Sequence, residues 1–520
     1  MAFRRILPAS LLALLSIAGS SARLPAAEAD STFTERIEVN LVDLNVVVTN
    51  FWGQPVTSLT RDDFEIWEDG ELRSISHFGR VIDGVGEHGE KAQAREAPPG
   101  ASQPGTTLDR SIILVFDASI QRPYLRRALR AARDFVAERS DERIWWSVVV
   151  LAAKPHSLLA LTDDGPEVVA TLESMLAQNA TGAGFQLPVP AASRGAHLDG
   201  RWSRLTLTEQ SLTFPYAAAG LSEIFRAYAS VPGNKACVVY QQSRGGGWIE
   251  DVAVQLELKQ RNEMWRDLGR QASSAGFKVY AMDVLGLNLP GGIGTGSLAA
   301  VLHNVRGIAV AGFGPRALAL ATGGESLALN HLDEALEAAE RDMGSYYTLA
   351  FVAPHNHDGE AHQVKVKVPG RPWLVVRYSS GYFDLDPRTL LVEHLAAPAY
   401  FPKHAGAFPV SLEVGERPAN DDESGLVAKV VTLAEHLTFV PQNGVLIAEV
   451  DVFVAVHDRT GALVSLKQDR RLVESDGLTR EVEIRVPVGQ QQAVARTVTV
   501  ALYEPLSGLS GIASEQISDD

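Results

Sequence analysis

The sequence predicts an α/β protein: a central doubly wound, mostly parallel sheet flanked by N- and C-terminal β-sandwich domains. Three observations predict it. Between residues 110 and 345, short apolar runs alternate with stretches of helical period, the rhythm of strands and crossover helices. On either side the pattern is of strands and turns. A chain of 520 residues also exceeds what one core holds and calls for roughly two to four domains.

The N-terminal residues come first. Arg4 and Arg5 precede an apolar run from Ile6 to Gly19, and small residues follow around Ala22 to Ala29. This is the layout of a secretory signal peptide, assigned to 1–27, and it predicts a secreted or periplasmic protein. The run is shorter than the roughly 20 apolar residues that a membrane span needs, and no later stretch is long enough. The region 31–80 reads as β: Leu44 to Val48 is rich in branched residues, Asn50 to Gln54 is a turn, and Asp69-Gly70 is a type I′ hairpin signal. Residues 81–109 have the Gly, Pro, Glu and Ala content of a linker.

Within 110–345, Ser111 to Phe116 is the first strand, and Pro123 suits the first turn of the helix after it. Ile144 to Ala153 and Ser157 to Leu161 are two strands, in which Trp145 and Trp146 must face opposite sides. Asp163-Asp164 reads as the cap of a helix over Glu167 to Ala177. A helix from Tyr216 to Ala229 leads to a strand at Ala236 to Tyr240. This strand holds the sole cysteine, Cys237, as a buried hydrophobe, so no internal disulfide forms. A helix over 253–275, a strand at Phe277 to Asp283, a short strand at Ser326 to Leu329 and a helix at His331 to Met343 complete the domain. A strand extension occupies 346–390, and a C-terminal β-sandwich 391–520.

Composition narrows the function. Hydrophobic residues at 46% and charged residues at 21% exclude wholesale disorder. With 47 Lys plus Arg against 63 Asp plus Glu, the net charge of −16 disfavours a nucleic-acid surface, which needs clustered cations.

The informative segment is Val115-Phe-Asp-Ala-Ser-Ile-Gln121, at the carboxyl end of the first strand, where open parallel sheets gather ligands. It resembles the opening of the adhesion site of von Willebrand factor type A domains, Asp-x-Ser-x-Ser. The chain is similar more broadly to secreted bacterial proteins with a VWFA-related domain. The segments that carry this resemblance are "VDLNVVVTNFWGQPVTSLTRDDFEIWEDGE", "LATGGES" and "YYTLAFVAP…GEAHQVKVKVPG…VVRYSSGYF", across roughly 36 to 383.

The resemblance implies a Mg²⁺ or Mn²⁺ ion held by oxygen ligands, which such hard cations require. Residue by residue, Asp117 and Ser119 match and Thr213 aligns with the family's threonine. Gln121 stands for the second serine and Gln242 for the second aspartate, so the formal ligand charge falls from two to one. Three outcomes stay open: a retained ion, a metal-free pseudo-site in which Arg122 or Arg244 pairs with Asp117, or an Asp117 that merely caps the following helix. Long loops at 180–212, 243–252 and 284–312 adjoin this edge, with Phe185, Arg201, Trp202, Arg244 and Trp248 as candidate partner contacts.

Other signals weigh less. His355, Asn356, His357 and His362 have no ligand spacing and read as a solvated loop. The glycines of 291–296 lack the Lys-Ser/Thr of a phosphate loop, and no nucleophile elbow is present. The expected function is non-enzymatic protein binding through the loop face. A structural scaffold is the alternative, and a hydrolase the remote one.

Overall fold

The computed structural model describes residues 40–88, 110–139, 144–152, 155–181, 207–229, 231, 233–242, 252–285, 313–327, 332–397, 406–416, 426–442, 445–459, 461–475, 480–489 and 497–517. The signal-peptide assignment lies outside them.

The N-terminal strands are β1 (Leu41–Thr49), β2 (Glu65–Glu68), β3 (Glu71–Arg73), β4 (Ile75–Ile82) and β5 (Val85–His88). Asp69 and Gly70 both take positive φ, 49° and 87°, as the type I′ turn between β2 and β3 demands. The expected linker begins later than residue 81, because β4 runs to Ile82 and β5 pairs back onto it.

The α/β domain comprises β6 (Arg110–Asp117), α1 (Arg122–Glu138), β7 (Ile144–Leu151), β8 (Pro155–Thr162), α2 (Gly165–Thr181), α3 (Leu207–Ala227), β9 (Asn234–Gln241), α4 (Val252–Ser274), β10 (Phe277–Asp283), α5 (Phe313–Thr322), β11 (Glu325–Leu327) and α6 (Glu334–Gly344). Its sheet runs β11-β10-β9-β6-β7-β8, parallel except for β8 at one edge. Alternation along β6 feeds two cores. Ile112, Leu114 and Phe116 pack beneath α1, α2 and α6, while Ile113 and Val115 pack against α3, α4 and residues of α5. Helices therefore cover both faces, as the continuous apolar strands require. Trp146 is buried and Trp145 is 37% exposed, as the strand period predicts. Asp164 accepts from the Glu167 amide at 3.1 Å and caps α2.

After α6 come β12 (Tyr346–Val352), β13 (Ala361–Lys367), β14 (Val375–Arg377), β15 (Gly381–Phe383) and α7 (Pro387–Ala396). They are not a separate extension. β12 lies between β1 and β4, and β14 pairs with the other edge of β1, giving the sheet β14-β1-β12-β4-β5. β13 pairs with β2 in the sheet β15-β13-β2-β3. Val46, Phe78 and Leu349 of the first sheet share one core with Ile66, Val364 and Val366 of the second. The N-terminal segment and the stretch after residue 345 thus build one unit, and the α/β domain is inserted between its halves.

The remaining strands are β16 (Ser411–Glu416), β17 (Leu426–Leu433), β18 (Val440–Gln442), β19 (Val445–His457), β20 (Leu463–Ser475), β21 (Glu481–Gly489), β22 (Thr497–Glu504) and β23 (Leu509–Gln516). They form the sheets β16-β17-β21 and β18-β19-β22-β23, with β20 on β19, around one shared core.

The "LATGGES" segment has a packing reason. Gly323, at φ 75°, lets its backbone approach that of Tyr378, and a Cβ there would sit 2.6 Å from the Tyr378 carbonyl carbon. Just before it, fully buried Thr322 accepts from the Val279 amide at 2.9 Å through its hydroxyl, satisfying a β10 donor just before the pairing with β11 begins at Tyr280. Thr322→Val keeps the shape but strands that amide, so it is expected to lower unfolding free energy by about 1–3 kcal/mol in urea titration. A loss below about 0.5 kcal/mol would show that the bond is dispensable.

Candidate functional site

Sheet order locates the first candidate. From β6 the chain winds out through β7 and β8, then returns to β9 on the other side of β6 and proceeds through β10 and β11. The reversal lies between the carboxyl ends of β6 and β9, the switch point where doubly wound sheets bind ligands. Asp117 ends β6, and Gln242 immediately follows β9.

This crest is tied together by its own polar groups. The Asp117 carboxylate accepts from the Ser119 amide at 2.7 Å. The Ala118 amide donates to the Leu151 carbonyl at 2.8 Å and links the turn to β7. The Gln242 side-chain oxygen accepts from the Gln121 amide at 2.7 Å, bridging the ends of β9 and β6. Gln121 is the N-cap residue of α1 but makes no side-chain cap, and Pro123 occupies the first turn. The N-cap position of α1 is thus Gln121, four residues after Asp117. A further acid, Asp283 at the end of β10, accepts from the Leu285 amide at 3.0 Å; sequence reasoning did not single it out.

Asp117 and Ser119 are joined by one bond and Gln121 and Gln242 by another, at the ends of β6 and β9. Thr213 falls inside α3, which starts at Leu207 and not at Tyr216, so it does not precede a helix. Its side chain, together with Phe185, Arg201, Trp202, Arg244 and Trp248, lies outside the described residues.

The strand order and the Asp117-Ala-Ser119 turn at the switch point decide the fold type. The domain has the doubly wound arrangement that the resemblance to von Willebrand factor A domains predicts. Solved structures similar to the chain include three bacterial proteins. One is an aerotolerance-related membrane protein from Bacteroides fragilis NCTC 9343, with 14% identity over 45% of this chain and 98% of that one, at a TM-score of 0.26. BatB, a conserved hypothetical protein from Bacteroides thetaiotaomicron, has 11% identity over 45% and 97%, at 0.24. The vWF domain of the type V pili tip protein Mfa5 from Porphyromonas gingivalis has 9% identity over 46% and 95%, at 0.25. No protein-family model and no curated protein matches the sequence.

A second polar locus sits in the two-sheet unit, where a solvated loop was expected. The β2–β3 hairpin supplies Glu68 and Asp69, the loop before β13 supplies His355, His357 and Asp358, β13 supplies His362, and Asp384 follows β15. The side chains of His355 and His362 are only 15% and 11% exposed, and that of Glu68 is fully buried. The two imidazoles stack with centroids 3.8 Å apart and planes 8° from parallel. Nδ1 of His355 lies 2.7 Å from Asp384, and Nδ1 of His362 lies 2.7 Å from Asp69. Arg73 Nε donates to Glu68 at 2.9 Å, the Tyr382 hydroxyl donates to it at 2.7 Å, and Asn40 donates to Asp384 at 2.8 Å.

The electrostatics follow. Burial would raise the Asp384 and Asp69 pKa values. For Asp384 the bonds from His355 and Asn40 outweigh it, and for Asp69 those from the Gln363 amide and His362, so both lie below the ordinary carboxylate value. Burial would lower the His362 pKa, but its bonds to Asp69 and Asp358 raise it. The locus was missed because Glu68 and His355 stand 287 residues apart. Only the pairing of β2 with β13 brings them together.

Proposed function

We propose that this chain is a secreted, non-enzymatic protein that binds a protein partner through the crest of its von Willebrand factor A-like domain, without a divalent ion. One observation carries the reading: Gln242, where the adhesion-site pattern has its second aspartate, uses its neutral amide oxygen to hold the Gln121 backbone. The crest is a hydrogen-bonded platform with one retained acid of the pattern, Asp117, and hard-cation affinity depends strongly on ligand charge. A platform at the switch point suits a protein interface.

The test uses the mature chain and the Asp117→Ala/Gln242→Ala variant in capture from cell-envelope extract, with and without EDTA. The expected result is one partner, retained in EDTA and lost with the variant. In parallel, millimolar Mg²⁺ or Mn²⁺ is expected to leave the melting temperature of wild type and Asp117→Ala unchanged. Metal stabilisation that Asp117→Ala abolishes would overturn the ion-free reading. A partner captured equally by wild type and variant would remove the crest from the function.

The scaffold alternative is favoured by a different feature. The α/β domain is fixed to the two-sheet unit by the buried Asp342–Arg377 pair and by the Asn45–Asn234 bond at 2.6 Å, which suits a rigid spacer.

A further inference from the structure

The His355–His362 locus takes no part in the crest and has a logic of its own. A neutral imidazole that donates from Nδ1 carries its lone pair on Nε2. Both histidines have Nδ1 2.7 Å from a carboxylate oxygen, which fixes that tautomer. Their Nε2 atoms then face further carboxylate oxygens: Glu68 Oε1 at 3.3 Å from His355, and Asp358 Oδ1 at 3.2 Å from His362. Acceptor faces acceptor twice in a largely buried setting. A second proton on one ring relieves only one of the two contacts, and a second proton on each would leave two imidazolium cations stacked 3.8 Å apart, where like charges repel. One bound cation relieves both contacts without charging either ring.

We propose that His355, His362 and Glu68 form a binding site for a zinc-class divalent cation, through the two Nε2 atoms and Oε1, with the Asp358 carboxylate 3.2 Å from the His362 Nε2. One donor atom from each of Glu68, His355 and His362 already lies within 4.8 Å of the others. Imidazole nitrogens with carboxylate oxygen are a donor set for zinc and its transition-metal neighbours, not for Mg²⁺ or Ca²⁺. The surroundings match what such sites use to orient ligands. Asp384 and Asp69 hold the Nδ1 sides of the histidines, and Arg73 and Tyr382 hold Glu68. The 3.3 Å between His355 Nε2 and Glu68 Oε1 suits two ligands of one tetrahedral ion at about 2.0–2.1 Å, but lone pairs in two parallel ring planes do not converge, so binding opens the ring stack. The ion would cross-link the β2–β3 hairpin to β13 and its preceding loop.

The experiment is titration of the chelator-dialysed mature chain with Zn²⁺, read by calorimetry, melting temperature and the imidazole NMR signals. Expected are one Zn²⁺ per chain, a higher melting temperature and shifted signals from His355 and His362. His355→Asn/His362→Asn is expected to abolish the site. Asp69→Asn changes no ligand and lies at a half-exposed carboxylate, so its fold is secure; it is expected to weaken binding about 10–100-fold. Asp117→Ala is expected to leave zinc binding unchanged, which separates this site from the crest. Zinc bound equally well by wild type, the double variant and Asp69→Asn would overturn the proposal, as would binding that tracks Asp117.

Discussion

Asp342→Ala is expected to lower the unfolding free energy by about 3–5 kcal/mol, the range for removing one partner of a buried ion pair. Asp342, on α6, is 1% exposed. Its carboxylate accepts both terminal nitrogens of Arg377, at 2.5 and 2.7 Å, and the Tyr280 hydroxyl at 2.8 Å. Arg377 belongs to β14, at the edge of the sheet that contains β1, whereas Tyr280 belongs to β10 of the α/β domain. The substitution leaves a largely enclosed guanidinium at the seam between the two with only the longer contact to Glu325, at 3.6 Å, in place of its bidentate partner. Burial alone would lower the Arg377 pKa, yet Asp342 holds it above the ordinary value, so the group stays charged and must be compensated. The check is urea unfolding of wild type, Asp342→Ala and Asp342→Leu/Arg377→Met. Replacing both partners by apolar groups is expected to recover most of the loss, because the penalty comes from the orphaned charge and not from the absence of a pair. A loss under about 1 kcal/mol in Asp342→Ala would mean that water reaches the guanidinium.

Local chemistry made much of the fold legible. The Asp69-Gly70 turn, the opposite faces of Trp145 and Trp146, the Asp164 cap and the bounds of β10 all depend on residues within a few positions of one another, where propensity and period operate. Two helices escaped. In α5 (FGPRALALAT) an internal proline and a short apolar run masked the period, and in α7 the Asp386 cap before Pro387 lies between segments that read as strands. The union of β1 with β12 and of β2 with β13 was out of reach, since no local pattern tells a strand which distant strand it will join. That one fact explains both the mistaken extension and the missed histidine locus. The crest was half legible. Asp117, Ser119, Gln121 and Gln242 sit where strand order and motif put them, but the Gln242 to Gln121 backbone bond follows from loop geometry that the residue types do not encode.

Lys235→Met is expected to stabilise the protein at neutral pH by about 2–4 kcal/mol, against the usual direction of core substitutions. Lys235 is the second residue of β9, is 5% exposed and lies in register with Phe277 and Ser111 on the neighbouring strands. Its ammonium donates to the Val231 carbonyl and lies 5.8 Å from the Phe277 ring centre, and no carboxylate among the described residues pairs with it. Burial pushes its pKa from 10.5 down to about 7. At about 1.4 kcal/mol per unit, folding therefore gives up about 5 kcal/mol at most when the unfolded chain is fully protonated. Losing the bond to Val231 returns about 1 kcal/mol of that. Between pH 7 and 10.5 the unfolded state binds the proton that the folded state lacks, so this group makes stability rise with pH across that window and leaves it flat below. Lys278, whose pKa burial lowers to about 8, contributes a slope of the same sign. The decisive quantity is accordingly the difference between wild type and Lys235→Met in urea unfolding at pH 6, 7, 8, 9 and 10. The variant's advantage should be greatest at pH 6 and 7 and should shrink steadily towards pH 10. An advantage that does not change with pH would mean that the amine stays charged in the folded protein, and a net loss would mean that methionine does not fit beside Phe277.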